Sequence, residues 1–317
     1  MSVAEPTAPA PAPADDAPRS LAVGDERKAG WFVRLTVLAV VILWLIPTMG
    51  VLITSFRPEA MVNQTGWWTV FANPFKAGQW TFENYGLALD AGGLGNAFLN
   101  SLAVSLPATV IPIAIAAFAA YAFSWMEFRG RYVMFIAVVA LLVVPLQMAL
   151  IPILRLYNNG AIIGGRYIFP DLDLVGTFLG VWLAHTAFGL PLAVYLLRNY
   201  IGSLPSSIIE SAKIDGADHF TIFWRLIIPL SVPALAAFAI FQFLWVWNDL
   251  LVAYVFLGGT SENRVLTIAL SNLVGSTGEN WHLLTAAAFI SMTLPLVVFF
   301  TLQKYFVRGL TAGAVKG

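Results

Sequence analysis

The 317-residue chain is 59% hydrophobic and 11% charged, and its mean hydropathy of +0.80 lies far above the soluble norm, which places it in lipid. Its 17 basic and 17 acidic residues cancel, so no bulk basic surface marks a nucleic-acid binder and no nucleic-acid partner is expected. Cysteine is absent, which removes disulfides and thiolate chemistry, and His185, His219 and His282 fit no metal-ligand spacing, so neither a metal nor a cofactor is expected on this chain.

Residues 1 to 18 are rich in Ala and Pro and carry Asp15 and Asp16, too polar to pack. They lead a disordered tail expected over 1–30, ahead of a membrane domain over 31–304 and a second tail over 305–317. Arg27, Lys28 and Arg34 precede an uncharged run, Leu35 to Phe56, long enough to span a bilayer. It is too long for a signal peptide and no small-residue cleavage site follows, so it is expected to stay in the mature protein. Five more uncharged runs follow: Ala91 to Met126, Tyr132 to Leu154, Leu174 to Leu197, Leu226 to Asn248 and Asn280 to Gln303. Each holds one span by length, which predicts an all-α membrane protein of six transmembrane helices. Pro47, Pro107, Pro112, Pro145, Pro191 and Pro295 predict kinks, tolerated where neighbouring helices satisfy the freed carbonyls.

Lys and Arg placement sets the expected orientation. With the N-terminus inside, only Arg57, Lys76, Arg155, Arg166 and Arg264 fall in outer segments, so both termini and the 199–230 loop are expected in the cytoplasm. That loop interrupts two apolar runs with charged residues and a glycine. Ser206 or Ser207 is expected to cap a short helix, with Glu210 three residues after Ser207 as in a capping box, and Ile208, Ile209, Ala212 and Ile214 supply apolar positions. Gly216 permits a positive φ that ends the turn, and Phe220, Phe223, Ile227 and Ile228 give a second apolar face. Two short cytoplasmic helices joined at a glycine, with Pro229 and Pro233 resetting the chain as it returns to the membrane, make a knob on which a partner docks. The competing reading is an amphipathic segment lying on the bilayer, disfavoured by the acidity of Glu210, Asp215 and Asp218 beside Lys213.

Glu210-Ser211-Ala212, Asp215-Gly216-Ala217 and Ile228-Pro229-Leu230 resemble the EAA motif of permease subunits in ATP-binding-cassette importers, with Ser211 in place of the alanine at the motif's second position. The ending from Tyr305 to Gly317 and the segment Trp245 to Leu250 resemble the MalG-like carbohydrate permeases, and Ile53 to Pro58 with Gly66-Trp67-Trp68 resembles their alpha-glucoside branch. The resemblance implies a type I ABC importer permease fold that pairs with a second homologous permease, two ATPase subunits holding ATP and Mg, and an extracellular sugar-binding protein. It also implies a non-catalytic subunit of a bacterial inner membrane. Glu210, Ser211, Ala212, Asp215, Gly216, Ala217 and Pro229 would couple to an ATPase, with Glu210 meeting a basic residue and Asp215 capping or pairing locally. Gly313, Ala314, Val315, Lys316 and Gly317 would thread between the ATPases.

Among polar groups inside the spans, Gln242 and Asn248 with Trp245 and Trp247 are the candidates to line a sugar passage, while Gln147, His185, Gln242, Asn248 and Asp249 would each serve equally well as helix-to-helix bonds and the tryptophans as interface anchors or core. A secondary transporter or channel acting without an ATPase is the alternative, and it would call for an internal repeat and intramembrane charges, of which only Asp249 comes close. An embedded enzyme lacks a nucleophile–base arrangement, and no Gly-x-x-x-x-Gly-Lys-Ser/Thr segment makes the chain an ATPase itself.

Overall fold

The computed structural model describes residues 30 to 91, 93 to 273 and 280 to 314, with the backbone alone over 304 to 314. The tail expected at 1–30 lies outside the described residues apart from Gly30. Two units divide the chain, one ending at Met49 and the other beginning at Gly50. Every residue of the sites below belongs to the second.

The first apolar run forms α1, Trp31–Ser55, with Pro47 inside it. Beyond it come α2, Glu59–Gln64, a 3-10 turn over Trp67–Ala72, and α3, Glu83–Ala91. Arg57 organises this stretch: it is 2% exposed and donates to the carbonyls of Thr65 and Gly66 and to the Thr65 hydroxyl at 2.6 Å. Asn84 donates to the carbonyls of Ser55 and Arg57, tying α3 to the end of α1.

Helix α4, Leu94–Trp125, takes Pro107 and Pro112 without ending, and it buries small residues, Ala97, Ser101, Ser105, Ala108, Ala116 and Ala120 among them. Small residues at this spacing let backbones approach closely in lipid. The run predicted as one span from Tyr132 to Leu154 instead breaks in two: α5, Arg131–Ala140, ends in a 3-10 turn over Leu141–Val143, and α6, Leu146–Asn159, leaves at 107°. The cause is Pro145, which holds Val144 extended at φ −72° and ψ 116° and itself becomes the residue before α6. A short hairpin follows, β1, Ala161–Ile163, antiparallel to β2, Arg166–Phe169, where the sequence suggested no strand.

Helix α7, Phe178–Ile201, is started by Thr177, whose hydroxyl accepts the Gly180 N–H at 3.1 Å. Then come α8, Ser206–Ile214, α9, His219–Ile222, a π turn over Phe223–Ile227, and α10, Ile228–Trp247. The chain closes with α11, Leu251–Leu257, α12, Leu266–Leu273, and α13, Trp281–Ala314, which runs on past the expected boundary at 304. Among the described residues five helices are long and apolar enough to cross a membrane, and the bent α5–α6 pair, taken as one broken span, brings the number to six.

Three apolar clusters hold the second unit together. One joins α4, α6, α7 and α11 around Val104, Leu150, Val181 and Phe256. Another joins α4, α7 and the α8–α10 segment around Ala120, Leu197, Ile209 and Ile227. The last sets α3, α10, α12 and α13 around Ala88, Phe243, Leu266 and Ala287.

At Gly180 an added Cβ would overlap the Leu174 carbonyl oxygen, whereas nothing stands near a Cβ at Gly95. Gly180→Ala should therefore cost about 1–3 kcal/mol and lower the thermal unfolding midpoint of the purified protein, while Gly95→Ala leaves it unchanged or raises it.

Candidate functional site

The polar loop folds as a compact bracket with one anchored face. Pro205 precedes α8 with φ −60° and ψ 127°, so Ser206 and Ser207 lie inside the first turn and no side chain caps it. The expected capping box is absent for that reason, and Glu210 stands exposed with no intrachain hydrogen bond among the described residues. Ile209, on the inner side, is buried against Ile222, Ile227 and Leu197. It fastens α8 to the bundle.

The end of α8 is fixed by its backbone. The Gly216 N–H donates to the Lys213 carbonyl at 3.1 Å and the Ala217 N–H to the Ala212 carbonyl at 2.9 Å, the paired bonds of a Schellman motif. Gly216 carries φ +83°, as its glycine suggested. Asp218, not Asp215, is the capping carboxylate: it accepts the Thr221 N–H at 2.8 Å and starts α9. Those hydrogen bonds from Thr221 hold the Asp218 carboxyl below its ordinary range. Asp215 itself is exposed.

The second short helix is not separate from the membrane. His219 to Trp247 forms one continuous span, because the Ile228 N–H reaches back to the Phe223 carbonyl in a π turn that absorbs Pro229. Pro229 lacks the N–H that an ordinary α-helix would use at that point, so the chain bulges there and continues. His219 Nδ1 and the Tyr121 hydroxyl lie 2.8 Å apart and Phe223 stacks on Phe118 at 4.5 Å, so α4 holds the base of this span. Ile214 and Phe220, expected on apolar faces, point outward instead at 86% and 69% exposure, with Trp224 beside Phe220. The outer surface of the bracket thus carries Glu210, Ser211, Lys213, Asp215 and Gly216 beside exposed Ile214 and Phe220. A charged rim around apolar anchors is the anatomy of a protein–protein contact.

Residues 20–312 match the family described as "Binding-protein-dependent transport system inner membrane component". The chain belongs to that family. It is 59% identical to the osmoprotective compounds uptake permease protein GgtD of Synechocystis, over 90% of this chain and 91% of the relative. It is 44% identical to the alpha-glucoside transport system permease protein AglG of Rhizobium meliloti, over 90% and 97%. The fold is similar to a chain of a bacterial ABC transporter involved in the import of alginate, with TM-score 0.67 and 22% identity over 87% of this chain and 95% of that one. This permease is accordingly a multi-pass, inner-membrane ABC importer subunit with the type I fold, and its family is a transport component.

The four residues expected along a sugar passage do not converge. Gln242 is fully buried, donates to the Ala108 carbonyl at 3.2 Å and fills the space beside Gly189, where an added Cβ would meet its amide at 2.6 Å. Trp247 is buried, with its indole N–H on the Ser291 carbonyl at 3.1 Å. Both are helix-to-helix contacts. Asn248 is exposed and closes the end of α10 through the Leu244 carbonyl. Of the four, Trp245 lines a pocket of about 500 Å³ in the bend of the broken span, opposite Leu142, Pro145 and Ile153. Its ring meets His185 edge-on at 5.6 Å, and His185 Nε2 lies 3.7 Å from Asp249, whose carboxylate accepts the Val252 and Ala253 N–H groups at the start of α11. Asp249 is therefore a structural cap. In the expected ATPase-contacting tail, Gly313 and Ala314 continue the α13 backbone, while Val315, Lys316 and Gly317 lie outside the described residues.

No atom stands within 4 Å of a Cβ built on Gly216, so its replacement is limited by backbone conformation alone. Gly216→Val should destabilise the α8 terminus by about 1–2 kcal/mol and speed hydrogen exchange at the amides of residues 216 and 217 by roughly tenfold. Gly216→Asn, which tolerates the left-handed region, should leave exchange near the parent rate.

Proposed function

We propose that this permease is one half of the membrane pathway of an ATP-driven importer for an alpha-glucoside or a related small osmoprotective glycoside. A second homologous permease completes the pathway, two ATPase subunits holding ATP and Mg dock beneath it, and an extracellular binding protein delivers the solute. Both termini and the 199–230 loop face the cytoplasm, as the Lys and Arg distribution favours. The substrate class rests on the names of the two relatives, GgtD and AglG.

The observation that carries the coupling role is the bracket itself. Its inner face is fastened by buried Ile209, its corner is locked by the Schellman bonds at Gly216, and Asp218 caps the first turn of the span that runs to Trp247. A push on α8 therefore has a stiff route into the fifth span. Closure of the ATPases becomes rigid-body movement of helices along that route. Glu210, without an ion-pair partner among the described residues, meets a basic side chain of the ATPase, while Ser211 and Ala212 keep the contact close and the C-terminal residues 313–317 follow the ATPase surface. Trp245, on the pocket wall, offers an aromatic face to a passing pyranose ring.

In the reconstituted four-component complex, Glu210→Ala should reduce ATP hydrolysis stimulated by the solute-loaded binding protein at least tenfold while the chain still inserts. Unchanged stimulation would remove Glu210 from the coupling contact. Trp245→Ala should leave basal hydrolysis intact and raise the solute concentration giving half-maximal uptake several-fold.

A further inference from the structure

At the same end of the bundle as the α8 bracket, two guanidinium groups lie over aromatic rings of α5. Arg131 donates to the Met126 carbonyl at 2.9 Å and to the Tyr132 hydroxyl at 2.8 Å, and its head lies over the Tyr132 ring at 4.8 Å. Phe135, four residues on, shares that face, and Arg198 from α7 lies over its ring at 5.0 Å. The rings beneath the two cations, Tyr132 and Phe135, are three residues apart and so are neighbours on the surface of α5.

Neither is paired with a carboxylate among the described residues. The ion pairs among the described residues involve His185 and His282, and none involves Arg131 or Arg198. Arg198 Nε is buried without a partner, and its side chain reaches only Asn199, at 3.5 Å. Glu127 lines the adjoining pocket of about 400 Å³, together with Arg131 and Tyr132, yet stays beyond ion-pair distance. Both half-buried guanidinium groups are held by neutral acceptors and ring faces rather than by a carboxylate, and the fork geometry of each suits a phosphate. The continuation of the site is apolar: Tyr132, Val133 and Ile136 are exposed on α5, in a segment that belongs to the broken span. A free anion matches the cations alone. An anion carrying acyl chains matches both halves.

We propose that Arg131 and Arg198 form a binding site for the phosphate of an anionic phospholipid of the inner leaflet, with its acyl chains along Val133 and Ile136. The inner-leaflet placement rests on the orientation given under the proposed function. Because Phe135 and Leu197 belong to the same apolar cluster as Ile209, the bound lipid also braces the base of the α8 bracket.

The test is native mass spectrometry of the intact transporter complex, titrated in detergent with dioleoyl phosphatidylglycerol or dioleoyl phosphatidylcholine. The parent complex should retain phosphatidylglycerol in preference to phosphatidylcholine. Retention should fall about fivefold for each guanidinium removed in Arg131→Gln/Arg198→Gln and survive in Arg131→Lys/Arg198→Lys. Equal retention of phosphatidylglycerol by the parent and the Gln variant, or equal retention of the two lipids by the parent, overturns the site. Displacement of the lipid by an equal concentration of inorganic phosphate overturns it in favour of a free-anion site. If the double variant does not assemble, Arg198→Gln alone carries the same reading, since its one side-chain hydrogen bond is the long contact to Asn199. Protease access to the 127–130 turn in sealed vesicles reports which side it faces, so a wrong orientation and a missing lipid site are told apart.

Discussion

In hydrocarbon a backbone N–H or C=O without an internal partner costs several kcal/mol, and that penalty decides where this chain is a helix and where it is allowed to bend. Each interruption of a span carries its own remedy. At Val144 and Pro145 the missing donor coincides with a 3-10 turn that closes α5 before α6 departs. At Pro229 the remedy is a π turn that keeps the span continuous. Past α10, the Asp249 carboxylate takes the first amides of α11, and the Ser101 hydroxyl accepts the Leu266 N–H at the start of α12.

The same economy shapes the bracket between α7 and α10. Its α8 lies outside the spans, where water is available to its backbone, yet its corner is closed by intrachain bonds at Gly216 and Ala217 and by the Asp218 cap. A loop serving only as a connector would not need both a locked corner and an inward anchor at Ile209. Its outward face, by contrast, leaves Ile214 and Phe220 in solvent, a cost that a docked partner removes. Stiffness inside and unsatisfied apolar surface outside are what a force-transmitting contact requires.

Much of this was legible in the sequence, and the failures have physical causes. Uncharged length located the spans, and Gly216 announced its positive φ because few other residues adopt it at low cost. Ser207 and Glu210 satisfied the capping-box pattern, but the N-cap is Pro205, two residues earlier than the pattern needs. Asp218 was overlooked beside Asp215, although an Asp ahead of an apolar helical run is itself a cap signal. The 107° break was hidden because Pro145 resembled the prolines at 107, 112 and 191, which stay within their helices. The hairpin was missed despite Gly164 and Gly165 between two short β-favouring runs. Within α10, apolar residues on every side left no periodicity to separate inward Gln242 and Trp247 from pocket-facing Trp245. Nor did the sequence reveal that Arg131 and Arg198, far apart along the chain, each lie over an aromatic ring of α5.

The central claim is that the outward face of the α8 bracket seats on an ATPase subunit. The chain contains no cysteine, so Ile214→Cys introduces a single thiol at a highly exposed position of the bracket, ready for a benzophenone maleimide. Irradiation of the assembled complex should join this permease to an ATPase subunit, with a yield that changes between nucleotide-free and ATP-bound states. Attachment to lipid alone, or none at all, while the ATPases remain in the complex, would contradict the account.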